Sequence, residues 1–138
     1  MEPDRSPLGD GPYPTTGPLA VLARVGLFGS LLAIMVAVFL PRQLVPHFVR
    51  SYYLEHFAAF YVAGLFALAA SPRTRLRSIA FWLLVFATLL ELSHMLGGSA
   101  LWPLWDNWVA DVGGIAAAFA PVLVERFRRR FRWPPWSE

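Results

Sequence analysis

Four long apolar segments, separated by short polar connections, dominate the chain. Each approaches the ~20 apolar residues that a helix needs to cross the hydrocarbon core of a bilayer. The segments comprise residues 19–40, 53–70, 79–97 and 105–124. The second is the shortest and opens on Glu55 and His56. The pattern predicts an all-α integral membrane protein, a four-helix bundle within residues 19–124.

The two ends of the chain lack this apolar pattern. Residues 1–18 contain five prolines and three glycines, a composition that does not bury a core, so we expect a flexible tail there. Residues 125–138 combine arginines with Phe127, Phe131 and two tryptophans. We expect this second tail to lie on the membrane surface as a basic, aromatic anchor.

The arginines predict how the bundle is oriented. All twelve basic residues are arginine; three lie in residues 71–78 and five in residues 125–132. The connections on the opposite side carry Arg42 and Arg50. Because positively charged residues concentrate in cytoplasmic connections, the arginine-rich ends are expected to be cytoplasmic. An even number of spans then places both termini in the cytoplasm.

Several classes of function are disfavoured by what the sequence lacks. It contains no cysteine, which excludes a disulfide framework, a thiolate metal site and a cysteine nucleophile. It also has no Gly-rich phosphate-binding loop and no nucleophile elbow. The arginines flank apolar segments, so they favour the lipid bilayer over nucleic acid as a partner. The sequence therefore favours binding over catalysis.

Five ionisable side chains lie in or at the mouths of the apolar segments: His56, Glu91, His94, Asp106 and Asp111. If the third span starts at Ile79 on the cytoplasmic side, Glu91 lies ~18 Å into a core of ~30 Å, and His94 lies ~4.5 Å further out. Asp111 lies roughly 7 Å deeper than Asp106 on the fourth span. A charge in hydrocarbon is costly, so such residues usually face the bundle interior and mark a working site.

These positions predict one polar pocket in the outer half of the bundle. Glu91 and His94 are three residues apart, and Asn107 and Asp111 are four apart, so each pair shares one face of its helix. His56, near the outer start of the second span, completes the layer. We expect His56, Glu91, His94, Asn107 and Asp111 to line a ligand-binding pocket.

The chemistry of this pocket has several interpretations. The side chains can hydrogen-bond one another and lock the bundle, or they can bind a polar or anionic ligand. His56, Glu91, His94 and Asp111 are also nitrogen and oxygen ligands suited to a divalent metal such as zinc or iron. Glu91 working with His94 or His56 would instead handle protons. The residue pattern assigns no catalytic residue.

Three short elements of the chain carry a family resemblance. The first is residues 55–64, where His56 opens a span and aromatic residues follow. The second is residues 91–94, with His94 where glutamine is usual, and the third is residues 107–114, where the usual acid and amide are exchanged. Together they resemble the VanZ-like family of small bacterial membrane proteins, although an arginine common before the third element is absent.

The resemblance implies a four-span domain in the cytoplasmic (inner) membrane of a bacterium. The family is associated with low-level resistance to the glycopeptide teicoplanin. Our leading prediction is therefore a VanZ-like membrane protein that acts by binding an envelope component or a glycopeptide, without turnover.

Two other functions are compatible with the sequence. One is an accessory subunit of a larger respiratory or photosynthetic membrane complex, because histidines near span ends can ligate a pigment and aromatic residues can pack around a pigment or quinone. Many of the aromatic residues also suit an interface belt: Tyr52, Tyr53, Trp102, Trp105 and Trp108. The enzymatic alternative is a metal-dependent membrane hydrolase.

Overall fold

The computed structural model describes residues 17–46, 48, 50–97 and 101–131. The α-helices of this part of the chain are α1, Pro18–Phe39; α2, Tyr52–Ala70; α3, Leu76–Leu96; and α4, Leu101–Arg130. A short 3-10 helix, Arg42–Leu44, lies between α1 and α2. Each α-helix is long and apolar enough to cross a membrane. The described residues thus confirm the prediction of an all-α chain with four helices that are long and apolar enough to span a membrane.

The fourth helix is longer than the sequence predicts. The apolar segment ends at residue 124, whereas α4 begins at Leu101 and continues to Arg130. Arginine and glutamate favour helix, and Arg129 Nε donates to Glu125 Oε1 one turn earlier at 2.9 Å. Cations in the last turn also oppose the negative end of the helix dipole. The first part of the predicted C-terminal tail therefore continues the helix.

The two predicted tails lie largely outside the described residues. The N-terminal tail is described from Gly17 onward, and Gly17 precedes α1 with a φ of 95°, a conformation that suits glycine. The C-terminal anchor is described as far as Phe131. Trp133 and Trp136, the two tryptophans of the predicted anchor, lie outside the described residues.

The core of the bundle lies between α2, α3 and α4. The most extensive helix contact joins α2 to α4, while α1 packs on α2 and α3 packs on α4. The buried apolar residues of this core include Phe60, Leu83, Ala87, Ile115 and Phe119. The helix α1 reaches it through one stripe of partly buried residues at helical spacing, Leu27, Leu31, Ile34 and Val38.

Small residues let α2 and α4 approach closely. A methyl group added at Gly114 would overlap the backbone carbonyl oxygen of Phe57 and would lie 2.9 Å from the Tyr61 nitrogen. Further along both helices, a methyl group at Gly64 would lie 2.8 Å from the Cβ of Ala118. Close backbone contact of this kind is how helices associate in lipid, where apolar burial gives no driving force. The order of these contacts shows that α2 and α4 run in the same direction.

We predict that Gly114→Ala destabilises the bundle by about 1–3 kcal/mol, because α2 must move away from α4 to accommodate the methyl group. Gly29→Ala is the matched control, since a Cβ there meets no described atom within 4 Å and alanine favours helix. Unfolding in detergent micelles, followed by tryptophan fluorescence, measures both. Equal stability of the two variants would contradict the close contact of α2 and α4.

Candidate functional site

Three of the predicted pocket residues meet between α2, α3 and α4. His56 Nδ1 lies 2.9 Å from Asp111 Oδ1, a hydrogen bond that joins α2 to α4. The same nitrogen lies 3.8 Å from Glu91 Oε1 on α3. We call His56, Glu91 and Asp111 the polar cluster. One nitrogen or oxygen atom from each of the three lies within 4.8 Å of the others.

The polar cluster is shielded by the surrounding helices. The side chain of Asp111 is 1% exposed, that of Glu91 is 7% exposed and that of His56 is 14% exposed. Taking an ionised carboxylate out of water costs several kcal/mol, so such acids need partners inside the bundle. The His56 imidazole is the hydrogen-bond partner of Asp111, and Glu91 lies 3.8 Å from the same nitrogen.

One oxygen of the polar cluster lacks a partner. Asp111 Oδ2 is buried and accepts no hydrogen bond from any described residue. A buried acceptor left without a donor costs about 1–3 kcal/mol. This oxygen is therefore the point at which the cluster can gain most from a hydrogen-bond donor or a cation supplied by a ligand.

The other predicted pocket residues differ in how they relate to the polar cluster. His94 Nδ1 lies 3.4 Å from Glu91 Oε2, as their spacing on α3 predicts, and its side chain is 23% exposed. Asn107 is buried one turn before Asp111, but no described hydrogen bond joins it to the cluster. Asp106 is exposed on α4. His94 is thus in contact with the polar cluster through Glu91, whereas Asp106 faces away from the buried core.

Helix ends place the polar cluster near one end of the bundle. Ser51 caps α2 by accepting a hydrogen bond from Leu54 N at 3.4 Å, which fixes the start of the helix. His56 then lies ~6 Å along α2, and Glu91 lies ~8 Å before the end of α3. The expected meeting of three helices is seen for His56, Glu91 and Asp111.

Two further contacts made by the helices of the site were not identified from the sequence. The Tyr52 ring packs edge-on against the His56 imidazole, with centroids 4.7 Å apart, in addition to its predicted place in the interface belt. Thr88 Oγ1 accepts a hydrogen bond from Trp108 Nε1 at 3.1 Å and ties α3 to α4. The sequence offers one clue to Thr88. It precedes Glu91 by three residues, so the two side chains share one face of α3.

The arrangement supports a limited set of chemistries. Two carboxyl groups and an imidazole can bind a cation, accept hydrogen bonds from a polar ligand or exchange protons with one another. No contact among the described residues bears on whether a pigment or quinone binds, so this binding stays a prediction.

Comparison of the chain with protein-family models, with curated proteins and with solved structures gives no match. The resemblance to the VanZ-like family therefore rests on residues 55–64, 91–94 and 107–114 and stays a prediction. The ligand-binding role of the site residues stays a prediction as well.

We predict that His56 and Asp111 are energetically coupled. A double-mutant cycle of His56→Ala and Asp111→Ala should give a coupling free energy of about 0.5–2 kcal/mol, as for interhelical hydrogen bonds in membranes. The matched cycle of His56→Ala and Asp106→Ala should be additive within about 0.5 kcal/mol. Unfolding in detergent measures both cycles. Equal coupling in the two cycles would argue against the hydrogen bond between His56 and Asp111.

Proposed function

We propose that this chain is a VanZ-like membrane protein that binds an envelope component or a glycopeptide through the polar cluster, without turnover. It lies in the cytoplasmic membrane of a bacterium, with both termini in the cytoplasm and the polar cluster in the outer half of the bilayer. The observation that carries the proposal is the hydrogen bond of 2.9 Å between His56 and Asp111 inside a bundle of apolar helices.

The three elements behind the family resemblance support this function. The first element supplies His56, the second supplies Glu91 and the third supplies Asp111. These three residues lie on different helices, yet one nitrogen or oxygen atom from each lies within 4.8 Å of the others. Ionisable residues are costly in a membrane, so their presence favours a working site over a chain that only spans the bilayer.

The unpartnered oxygen of Asp111 favours a ligand over a purely structural role. A lock made of internal hydrogen bonds is most stable when every buried acceptor has a donor. Asp111 Oδ2 instead has no donor among the described residues. Glycopeptides carry amine, amide and hydroxyl donors, which are the groups that a buried carboxylate accepts.

The arginines support the proposed orientation. Arg73 and Arg75 of the connection between α2 and α3 line one cleft together with Arg77 of α3 and Arg126 of α4. Glu91 lies ~22 Å from the start of α3, so the polar cluster is far from this arginine-rich end. By the positive-inside rule, this separation favours an orientation with the arginines in the cytoplasm and the polar cluster toward the exterior.

Binding of teicoplanin to the protein in lipid nanodiscs tests the proposal. We expect Asp111→Asn to weaken binding by about 10- to 100-fold, because a hydrogen bond to a charged group contributes about 1.5–3 kcal/mol. Asp106→Asn is the matched control on the same helix and should change the affinity by less than about twofold.

Teicoplanin sensitivity of cells that produce equal amounts of each variant provides a second measurement. The Asp111→Asn variant should lose protection, and the Asp106→Asn variant should retain it. Teicoplanin binding that is absent, or equally strong in both variants, would falsify the glycopeptide form of the proposal.

A divalent metal is a second candidate ligand, favoured by the donor set itself. One imidazole nitrogen and two carboxylate oxygens of the polar cluster lie within 4.8 Å of one another, a set that suits zinc, iron or manganese. Two carboxylates would balance the charge of the ion, and His94 is placed to orient Glu91. A bound metal would supply the Lewis-acid chemistry that a hydrolase requires.

Metal uptake separates this candidate from glycopeptide binding. If the polar cluster is a metal site, the chelator-treated protein should bind one Zn²⁺ or Mn²⁺ and unfold at a higher temperature. His56→Gln should weaken uptake by more than about 10-fold, since even the loss of an indirect partner costs about that much. Asp106→Asn should leave it unchanged. Teicoplanin binding that persists without metal uptake would exclude the metal candidate.

A further inference from the structure

A cleft rimmed by arginine lies at the end of the bundle opposite the polar cluster. Its volume is about 860 Å³, within the ~300–1,000 Å³ of small-molecule sites. The connection between α2 and α3 and the first turns of α3 form one wall, and α4 from Phe119 to Arg126 forms the other. Its described lining residues are separate from the polar cluster, so the cleft does not depend on the proposed function.

Four arginines line this cleft: Arg73, Arg75, Arg77 and Arg126. Their side chains are exposed, and the ion pair described on the neighbouring turn of α4 involves none of them. Guanidinium groups bind phosphate oxygens with paired hydrogen bonds. The rim therefore offers a phosphate both positive charge and paired hydrogen-bond donors.

The start of α3 adds backbone donors to the same rim. No side chain of the described residues caps this helix start at Arg75. The Arg75 carbonyl accepts from Ser78 N and Ile79 N, whereas the first-turn N–H groups of Leu76 and Arg77 have no described backbone acceptor. An anion beside these groups is also favoured by the helix dipole.

Beneath the arginines the cleft is apolar. Ala80 of α3 and Phe119 and Leu123 of α4 line this part. Leu123 is 54% exposed, and the large apolar side chains of Val124 and Phe127 further along α4 are exposed as well. A soluble anion gains nothing from such a wall, whereas the acyl chain of a lipid packs against it.

We propose that this cleft binds one anionic phospholipid, with the arginines on its phosphate and an acyl chain along Ala80, Phe119 and Leu123. The lipid bridges α3 and α4 at the arginine-rich end of the bundle. A zwitterionic phospholipid carries an ammonium group that the arginines repel, so the cleft selects a headgroup with net negative charge.

Native mass spectrometry of the full chain in mild detergent tests this proposal, with phosphatidylglycerol and phosphatidylcholine as probes. We expect one retained phosphatidylglycerol. Replacing Arg75→Gln together with Arg126→Gln should weaken its binding on the order of 10- to 30-fold, since each arginine near an anionic lipid contributes about fivefold. The matched control, Arg128→Gln with Arg130→Gln, removes the same charge from α4 outside the cleft and should weaken binding by less than about twofold.

A conservative variant separates loss of charge from loss of fold. Arg75→Lys with Arg126→Lys keeps the charge, so it should retain phosphatidylglycerol within about fivefold of the unmodified protein. Equal losses in the two glutamine variants would overturn the proposal in favour of diffuse attraction. Equal retention of phosphatidylcholine, or displacement by inorganic phosphate, would also overturn it. Both of these outcomes are read on the unmodified protein, so they decide the question even if the glutamine variants unfold.

Discussion

The backbone contact between α2 and α4 at Gly114 is the constraint on which the other features depend. Phe57, whose carbonyl faces Gly114, directly follows His56, and Asp111 lies one turn before Gly114 on the same face of α4. The separation of the two helices therefore sets the 2.9 Å between His56 Nδ1 and Asp111 Oδ1. Hydrogen bonds weaken within a few tenths of an ångström, so the polar contact is more sensitive to this separation than the apolar core is. Gly114, which has no side chain, thus sets both the packing of α2 on α4 and the distance between His56 and Asp111.

The polar cluster has two effects on the bundle that oppose each other. Buried acids and imidazoles lose hydration, and in soluble proteins their replacement by apolar residues is often neutral or stabilising. In lipid, however, an apolar helix has little to fix its rotation, because its side chains meet similar surroundings on every side. The bond from His56 to Asp111, with Glu91 beside it, gives three helices one rotational setting. Asp111 Oδ2 has no donor among the described residues, so this setting leaves one buried acceptor of the cluster unsatisfied within the described part of the chain.

The length and composition of the apolar segments are sufficient to predict four helices, because a span must satisfy its backbone hydrogen bonds internally. The end of α4 is missed because hydropathy falls at Glu125 while helix propensity and pairing one turn apart continue. For the site, helical spacing predicts which side chains share a face, as Glu91 and His94 do. Spacing says nothing about the rotation of one helix relative to another. The packing of Tyr52 against His56 therefore becomes visible only in the structure.

The helix α1 packs at the edge of the bundle and takes no part in the polar cluster. Apart from Arg24 this helix is largely apolar around its circumference, and it supplies no residue to the polar cluster. In a soluble protein a helix of this composition lies in the interior. Here α1 lies at the edge of the bundle, with Gly26 against the Phe66 ring and large apolar side chains exposed, an arrangement that is stable where lipid covers them. Both the polar cluster and the arginine-lined cleft are built from α2, α3, α4 and the connection between α2 and α3, so α1 contributes to neither site directly and acts on them only through its packing on α2 and the core.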